Sequence, residues 1–244
     1  MERADNIKLR KWFIEKKSGL DKERLFVFHH AGGGATYYMP LLKELSDKFS
    51  VYFVQLPGRE YRIEEQAYDN WELLLDDLTE ALVPYLDKPF VFFGHSMGAI
   101  ISYELTYRLK KRGFAPKHLY LSSLASPNSP RDNYSKLPDK ELMEKLMDLG
   151  GTDKESSLNS KLMAMILPTL RKDLHLCDTY RCSVKEKIDV PVTMLGGDKD
   201  LVVNPDDLLE WKEFFSGPFE LHIFEGNHFY FRNQFSDLAL ILAG

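Results

Sequence analysis

The sequence predicts an α/β fold, a mostly parallel central sheet flanked by helices, and three observations carry that reading. Short, continuously apolar runs recur along the chain and alternate with longer amphipathic stretches. Glycine-rich segments follow several of these runs directly. Strands that are apolar at every position, rather than at every second one, belong to a parallel sheet covered on both faces.

The elements follow in chain order. Leu25-Phe26-Val27-Phe28 reads as a buried strand and leads into His29-His30-Ala31 and the cluster Gly32-Gly33-Gly34. Tyr37 to Leu45 has a helical pattern, and Val51-Tyr52-Phe53-Val54 is a second strand that ends towards Pro57-Gly58. Trp71 to Leu86 places Leu74, Leu75, Leu78, Leu82 and Leu86 at helical spacing. Phe90-Val91-Phe92-Phe93 is the third strand, and the helix expected after it ends in Lys110, Lys111 and Arg112 before Gly113, a basic last turn and a glycine stop. His118 to Ser122, Val192 to Leu195 and Phe219 to Phe224 complete the strands. Residues 126–187 break this rhythm. They hold only helical patches, Leu137 to Leu149 and Leu158 to Leu174, and are expected to form a helical lid over one end of the sheet within a single domain spanning 1–244.

Composition narrows the function classes. A chain of 244 residues, 44% hydrophobic and 28% charged, can bury a large core without disulfides or a metal. Its 32 basic and 37 acidic residues give a net charge of −5, which argues against a nucleic-acid surface. Cys177 and Cys182 lack the companions of a zinc site and read as reduced thiols. The charged segment Met1 to Lys17 has no signal-peptide core, and no apolar run is long enough to span a membrane. A cytoplasmic location and a monomer are expected.

The chemistry centres on Gly94-His95-Ser96-Met97-Gly98, a G-x-S-x-G between a buried strand and a helix. That context makes Ser96 a nucleophile on a tight turn and points to the α/β-hydrolase fold. Serine needs a base, and the base needs an orienting acid, in the chain order Ser, acid, His. Among the later histidines, His175 falls in the lid and His222 inside a strand, whereas His228 leaves the last strand's carboxyl end in Glu225-Gly226-Asn227-His228. The acid should leave the preceding strand, where Gly196-Gly197-Asp198-Lys199-Asp200 offers two candidates. Asp200 lies deeper in the loop and is preferred; Asp198 would brace the turn. Oxyanion donors are expected from the backbone N–H of Met97 and of Ala31, with His30 shaping the loop. A phosphate loop is disfavoured because neither G-x-x-x-x-G-K-[ST] nor G-x-G-x-x-G is present.

Taken together, Phe28 to Gly34, Gln55-Leu56-Pro57-Gly58-Arg59-Glu60, Phe93 to Ala99, Leu170-Arg171-Lys172-Asp173, Asp178-Thr179-Tyr180, Gly196 to Asp200 and Glu225 to Phe229 resemble the type II thioesterases of non-ribosomal peptide and polyketide synthases. The resemblance covers nearly the whole chain. It implies a triad of Ser96, Asp200 and His228, oxyanion donors at Ala31 and Met97, and an entrance role for Arg59. It also implies hydrolysis of unwanted acyl or aminoacyl thioesters on the phosphopantetheine arm of carrier domains, with no cofactor bound by the enzyme itself. Medium-chain fatty acyl carrier thioesters and small carboxylic esters are the alternative substrates. Two positions depart from the family pattern: His29 stands where proline is common, and Asn227 where glycine is common. Met143, Met147, Met163 and Met165 all fall in the lid, where flexible thioethers suit a cavity that accepts varied acyl groups.

Overall fold

The computed structural model describes residues 7–16, 22–151 and 160–244. Its sheet has eight strands among the described residues: β1 (Ile7–Leu9), β2 (Phe13–Lys16), β3 (Glu23–Phe28), β4 (Phe49–Val54), β5 (Phe90–His95), β6 (Leu119–Ser122), β7 (Val192–Gly197) and β8 (Phe219–Phe224). They lie in the order β1-β2-β4-β3-β5-β6-β7-β8. From β4 to β8 every pairing is parallel, with Leu25 beside Val51 and Val91, and Leu121 beside Met194. The expected strands are all present. The first two were not among them: β1 and β2 form an antiparallel pair that extends the sheet beyond β4.

Period-two alternation along the central strands sends side chains to opposite faces. Phe26, Phe28, Phe90 and Phe92 join one core layer with Leu74, Leu78, Ile100 and Trp211. Leu25, Val27, Val91 and Phe93 join the other, with Tyr38, Leu41, Phe231 and Leu238. Each such side chain contributes about 1.5–3 kcal/mol by leaving water. Burial on both faces is therefore what makes these strands apolar throughout.

Helix α1 (Leu41–Leu45) is shorter than the expected Tyr37 to Leu45. A 3-10 turn at Ala35–Tyr38 precedes it, and Pro40 separates the two. Helix α2 (Trp71–Leu82) begins at Asn70, whose side chain accepts the Leu73 N–H, and it buries Leu74, Leu75, Leu78 and Leu82. It stops four residues before the expected end because Pro84 tightens the next turn to 3-10. Helix α3 (Met97–Lys110) runs through the core and buries most of its residues. Its Ser102 and Thr106 hydroxyls are satisfied by Gly98 and Ser102 carbonyls, each at 2.8 Å. The glycine stop is where the sequence puts it: Gly113 has φ +85.

Between β6 and β7 lie α4 (Asp139–Asp148) and α5 (Ser160–Thr179), the helical insertion expected over residues 126–187. The expected second helix starts at Leu158, which is outside the described residues; it runs to Thr179, past Leu174 and through Pro168. Two helices complete the chain, α6 (Pro205–Leu209) and α7 (Phe235–Ala243). Among the described residues no helix is long and apolar enough to cross a membrane.

Candidate active site

Ser96 sits where β5 ends and α3 begins, at φ +55 and ψ −117, a conformation few residues other than glycine adopt. The two flanking glycines explain how the chain tolerates so sharp a turn. A Cβ at Gly98 would stand 2.1 Å from the Phe28 carbonyl oxygen, and one at Gly94 would stand 2.1 Å from the Gly98 carbonyl oxygen. Helix α3, strand β5 and the end of β3 thus approach to distances that a methyl group would forbid. The Ser96 N–H donates to the Ser122 carbonyl at 2.8 Å and ties the turn to β6. Met97 opens α3, so its N–H has no acceptor within the helix.

The other two loops leave β7 and β8, the next strands along the sheet. His228 Nδ1 and Asp200 Oδ2 are 2.8 Å apart, with the carboxylate fully buried and the imidazole 7% exposed. The second Asp200 oxygen accepts the N–H groups of Val202 and Val203 at 2.9 and 3.2 Å. Burial pushes the Asp200 carboxyl up, but the His228 hydrogen bond and charge and the two N–H groups outweigh it and hold the acid below its usual range. An ionised Asp200 can only accept, so His228 carries its proton on Nδ1 and leaves Nε2 as the basic nitrogen. Asp198 has the bracing role: its Oδ1 accepts the Gly226 N–H at 2.8 Å and joins the two loops. Of the other late histidines, His222 lies half-exposed beside Glu220 and His175 is exposed on α5.

A third loop, after β3, carries His29 to Gly33. The His30 carbonyl accepts from the Gly33 N–H at 3.1 Å and faces His29 Nδ1 at 2.8 Å. His30 is buried, shares a 2.8 Å hydrogen bond with the Tyr38 hydroxyl and packs edge-on to Phe229. Arg59, for which the resemblance implies an entrance role, makes its contacts inside the fold. It is buried and pairs both Asp173 oxygens, at 2.5 and 2.9 Å. It also donates to the Gly33 and Pro57 carbonyls.

Two cavities meet at Ala31. One is lined by Ala31, Ser96, Met97, Arg131, Cys177 and His228, among others. The second lies under the cap helices, lined by His30, Ala31, Met143, Met163, Leu170 and Phe229. Met143 and Met163 therefore face a cavity next to the serine. Met165 is 61% exposed and lines a separate surface groove beside Gly58, and Met147 lines neither cavity. Cys177 and Cys182 are free thiols, and removal from water pushes the Cys177 pKa up, so it stays a protonated wall of the serine cavity.

Two groups beside the site lie in segments singled out in the sequence, which assigns neither of them a role. His95 is buried with its ring 5.0 Å from that of His228, and a chain of hydrogen bonds runs from its Nδ1 through Ser122 Oγ, at 2.9 Å, to the Tyr230 hydroxyl, at 2.8 Å. Asp173, 114 residues from Arg59 in the chain, accepts the Gly32 N–H at 2.7 Å. The G-x-S-x-G motif includes His95, but nothing local marks Asp173 as a partner of the β3 loop. Among the described residues no cluster of three or more His, Cys, Asp or Glu is placed to hold a metal.

Comparison with known proteins gives this geometry a context. Residues 23–242 match the family model described as thioesterase domain. Linear gramicidin dehydrogenase LgrE of Brevibacillus parabrevis is 35% identical over 95% of this chain and 91% of its own length. Gramicidin S biosynthesis protein GrsT of Aneurinibacillus migulanus is 33% identical over 90% of this chain and 88% of its own. Among solved structures, the type II thioesterase BorB from the borrelidin biosynthetic cluster superposes with a TM-score of 0.90 at 32% identity, covering 98% of both chains. RedJ, a thioesterase from the prodiginine pathway of Streptomyces coelicolor, gives a TM-score of 0.85 at 33% identity over 91% of this chain and 85% of its own.

Proposed function

The chain belongs to the thioesterase family, and from that membership we propose that it is a type II thioesterase. It hydrolyses stalled acyl or aminoacyl thioesters from the phosphopantetheine arm of carrier domains in non-ribosomal peptide or polyketide synthesis. The observation that carries this reading is a single cavity lined by Ser96, Met97, Ala31 and His228, with Asp200 holding the far side of the imidazole. The relatives named for gramicidin, borrelidin and prodiginine biosynthesis support the pathway class. The word dehydrogenase in the LgrE name has no motif to match it, since the β3 loop carries no G-x-G-x-x-G.

In the first half-reaction His228 Nε2 takes the proton of the Ser96 hydroxyl as its oxygen attacks the thioester carbonyl. Asp200 keeps the imidazole in the required tautomer and stabilises the cation that forms. The N–H groups of Met97 and Ala31 hold the tetrahedral oxyanion, each worth about 3–4 kcal/mol in the transition state. Collapse breaks the C–S bond, His228 returns the proton to the departing pantetheine thiolate, and the acyl group remains as an ester on Ser96. Water then attacks that ester with His228 as base, releasing the acid and restoring the serine. The positive φ of Ser96 exposes its oxygen above the sheet for both halves.

The test is a competition between substrates. Carrier domains loaded with short acyl and aminoacyl groups should release free acid, detected by intact mass of the carrier, faster than matched oxygen esters are cleaved. Faster cleavage of the oxygen ester, with no release from the carrier, would make the protein a small-molecule carboxylesterase instead.

A further inference from the structure

The peptide unit linking His30 to Ala31 is planar and trans, so its carbonyl and its N–H point in opposite directions. Fixing one end of that unit therefore aims the other. The carbonyl is held by the Gly33 N–H at 3.1 Å and by His29 Nδ1 at 2.8 Å. A carbonyl can only accept, so His29 carries its proton on Nδ1. His29 is buried, and burial with the nearby Arg59 charge lowers its pKa to about 3, which keeps the ring neutral at working pH.

The next peptide unit, from Ala31 to Gly32, is held from the cap. Its Gly32 N–H donates to Asp173 Oδ2 at 2.7 Å. Asp173 is in turn gripped by the two terminal guanidinium nitrogens of Arg59, and Nη1 also donates to the Gly33 carbonyl at 3.2 Å. Gly32 has φ +73, and a Cβ there would stand 2.7 Å from Leu170 Cδ1 on α5. Both peptide planes that flank Ala31 are therefore locked, one from within the loop and one by a buried ion pair between α5 and the segment after β4.

We propose that His29, Asp173 and Arg59 are positioning residues that preset the Ala31 N–H for the oxyanion, so the cap orders the oxyanion hole as well as enclosing the substrate. This rests on the assignment of Ala31 as an oxyanion donor. In this chain the histidine at 29 supplies a side-chain donor that a proline at this position lacks. The Asp173 carboxylate places a negative charge beside the loop, and its two oxygens accept from Arg59 and Gly32.

The experiment compares His29→Leu, His29→Asn and the double variant Arg59→Gln with Asp173→Asn, on one acyl-pantetheine thioester. Removing both members of the ion pair together avoids leaving one buried charge unpaired. His29→Asn keeps an N–H donor near the place of Nδ1, whereas His29→Leu removes it. With folding checked by thermal melting, His29→Leu and the double variant should each lower kcat by about 100-fold while KM stays near the wild-type value. His29→Asn should restore most of the loss. A folded His29→Leu enzyme or a folded double variant with wild-type kcat, or an Asn variant as slow as the Leu variant, overturns the proposal. If the double variant does not fold, the His29 pair decides alone. Wild-type enzyme that fails to turn over the thioester refutes the thioesterase reading itself, a result distinct from failure of the clamp.

Discussion

The carboxyl end of the sheet and the cap above it are built on different principles. At the sheet end, the proposed catalytic groups are held by directional bonds: Asp200 by His228 and two backbone N–H groups, the Ser96 turn by Ser122, and the two late loops by Asp198. In the cap, α4 buries only Leu142, which packs with Leu170 and Leu174, and Arg171 on α5 holds the start of α4 through the Ser135 and Leu137 carbonyls and Asp139. The cap residues that face the cavity, Met143, Met163 and Ile166, are partly exposed aliphatic chains. The difference teaches that hydrogen-bond geometry fixes the proposed catalytic groups, while the cavity wall beside them is a surface able to repack. Asp173 is a cap residue engaged in the directional network of the β3 loop, and Thr169 and Lys172 on the same helix donate to the Gly58 and Ala67 carbonyls below it.

The strongest way to break this comparison is to disturb one directional bond at the sheet end. Asp200→Asn presents an amide that can turn its N–H towards His228 and favour the wrong tautomer, so kcat should fall by about 10⁴-fold. Asp198→Asn keeps an oxygen for the Gly226 N–H and should cost far less. Steady-state kinetics on an acyl-pantetheine thioester decide between them, and equal losses would contradict the division of roles.

Acid provides a second, smaller test. His29, His30 and His95 all lie at the sheet end, and burial, joined by neighbouring Arg59 or histidine charges, lowers their pKa values, to about 3 for His29 and well below 6.5 for the other two. Below pH 6.5 the unfolded chain binds protons at these sites that the folded chain refuses, so stability falls as pH falls. Each histidine contributes a slope of about 1.4 kcal/mol per pH unit, which continues down to its own folded pKa. Urea titrations at pH 7, 6 and 5 should show a steep loss of stability; a flat profile would mean that these rings are protonated in the fold.

The smallest effect is expected in the cap. Met143→Leu and Met163→Leu reshape the cavity beside Ala31 and should shift preference among acyl chain lengths by up to about tenfold, with hydrolysis retained. Met165→Leu, which faces the surface groove, should leave the profile unchanged. Profiling all three on a ladder of acyl-carriers tests this, and a shift confined to Met165 would reverse the assignment of the cavity.

How much of this was legible in the sequence follows the same division. Strands that are apolar on both faces announce themselves, and so does Ser96, whose motif is local. The pair β1 and β2 escaped notice because Phe13-Ile14-Glu15-Lys16 reads as charged, yet Glu15 is buried and accepts the Tyr52 hydroxyl at 3.2 Å. Helix α6 has a legible start in Pro205 and in Asn204 and Asp207, the pair that forms a capping box, but its five residues are too few to show a period. Loop depth favours Asp200 over Asp198 and the family resemblance implies it, while the hydrogen bonds of the two carboxylates, Asp200 to His228 and Asp198 to Gly226, are contacts that spacing does not announce. The pairing of Arg59 with Asp173 spans 114 residues, and no pattern of spacing marks such a contact.

The most direct measurement of the central claim is the site of covalent capture. Wild-type enzyme and Ser96→Ala, both shown to be folded, are exposed to a serine-reactive fluorophosphonate and followed by intact mass and peptide mapping. The account predicts one adduct on the wild type, located on Ser96, and none on the variant. An adduct on another residue of Ser96→Ala, formed at the wild-type rate, would contradict it.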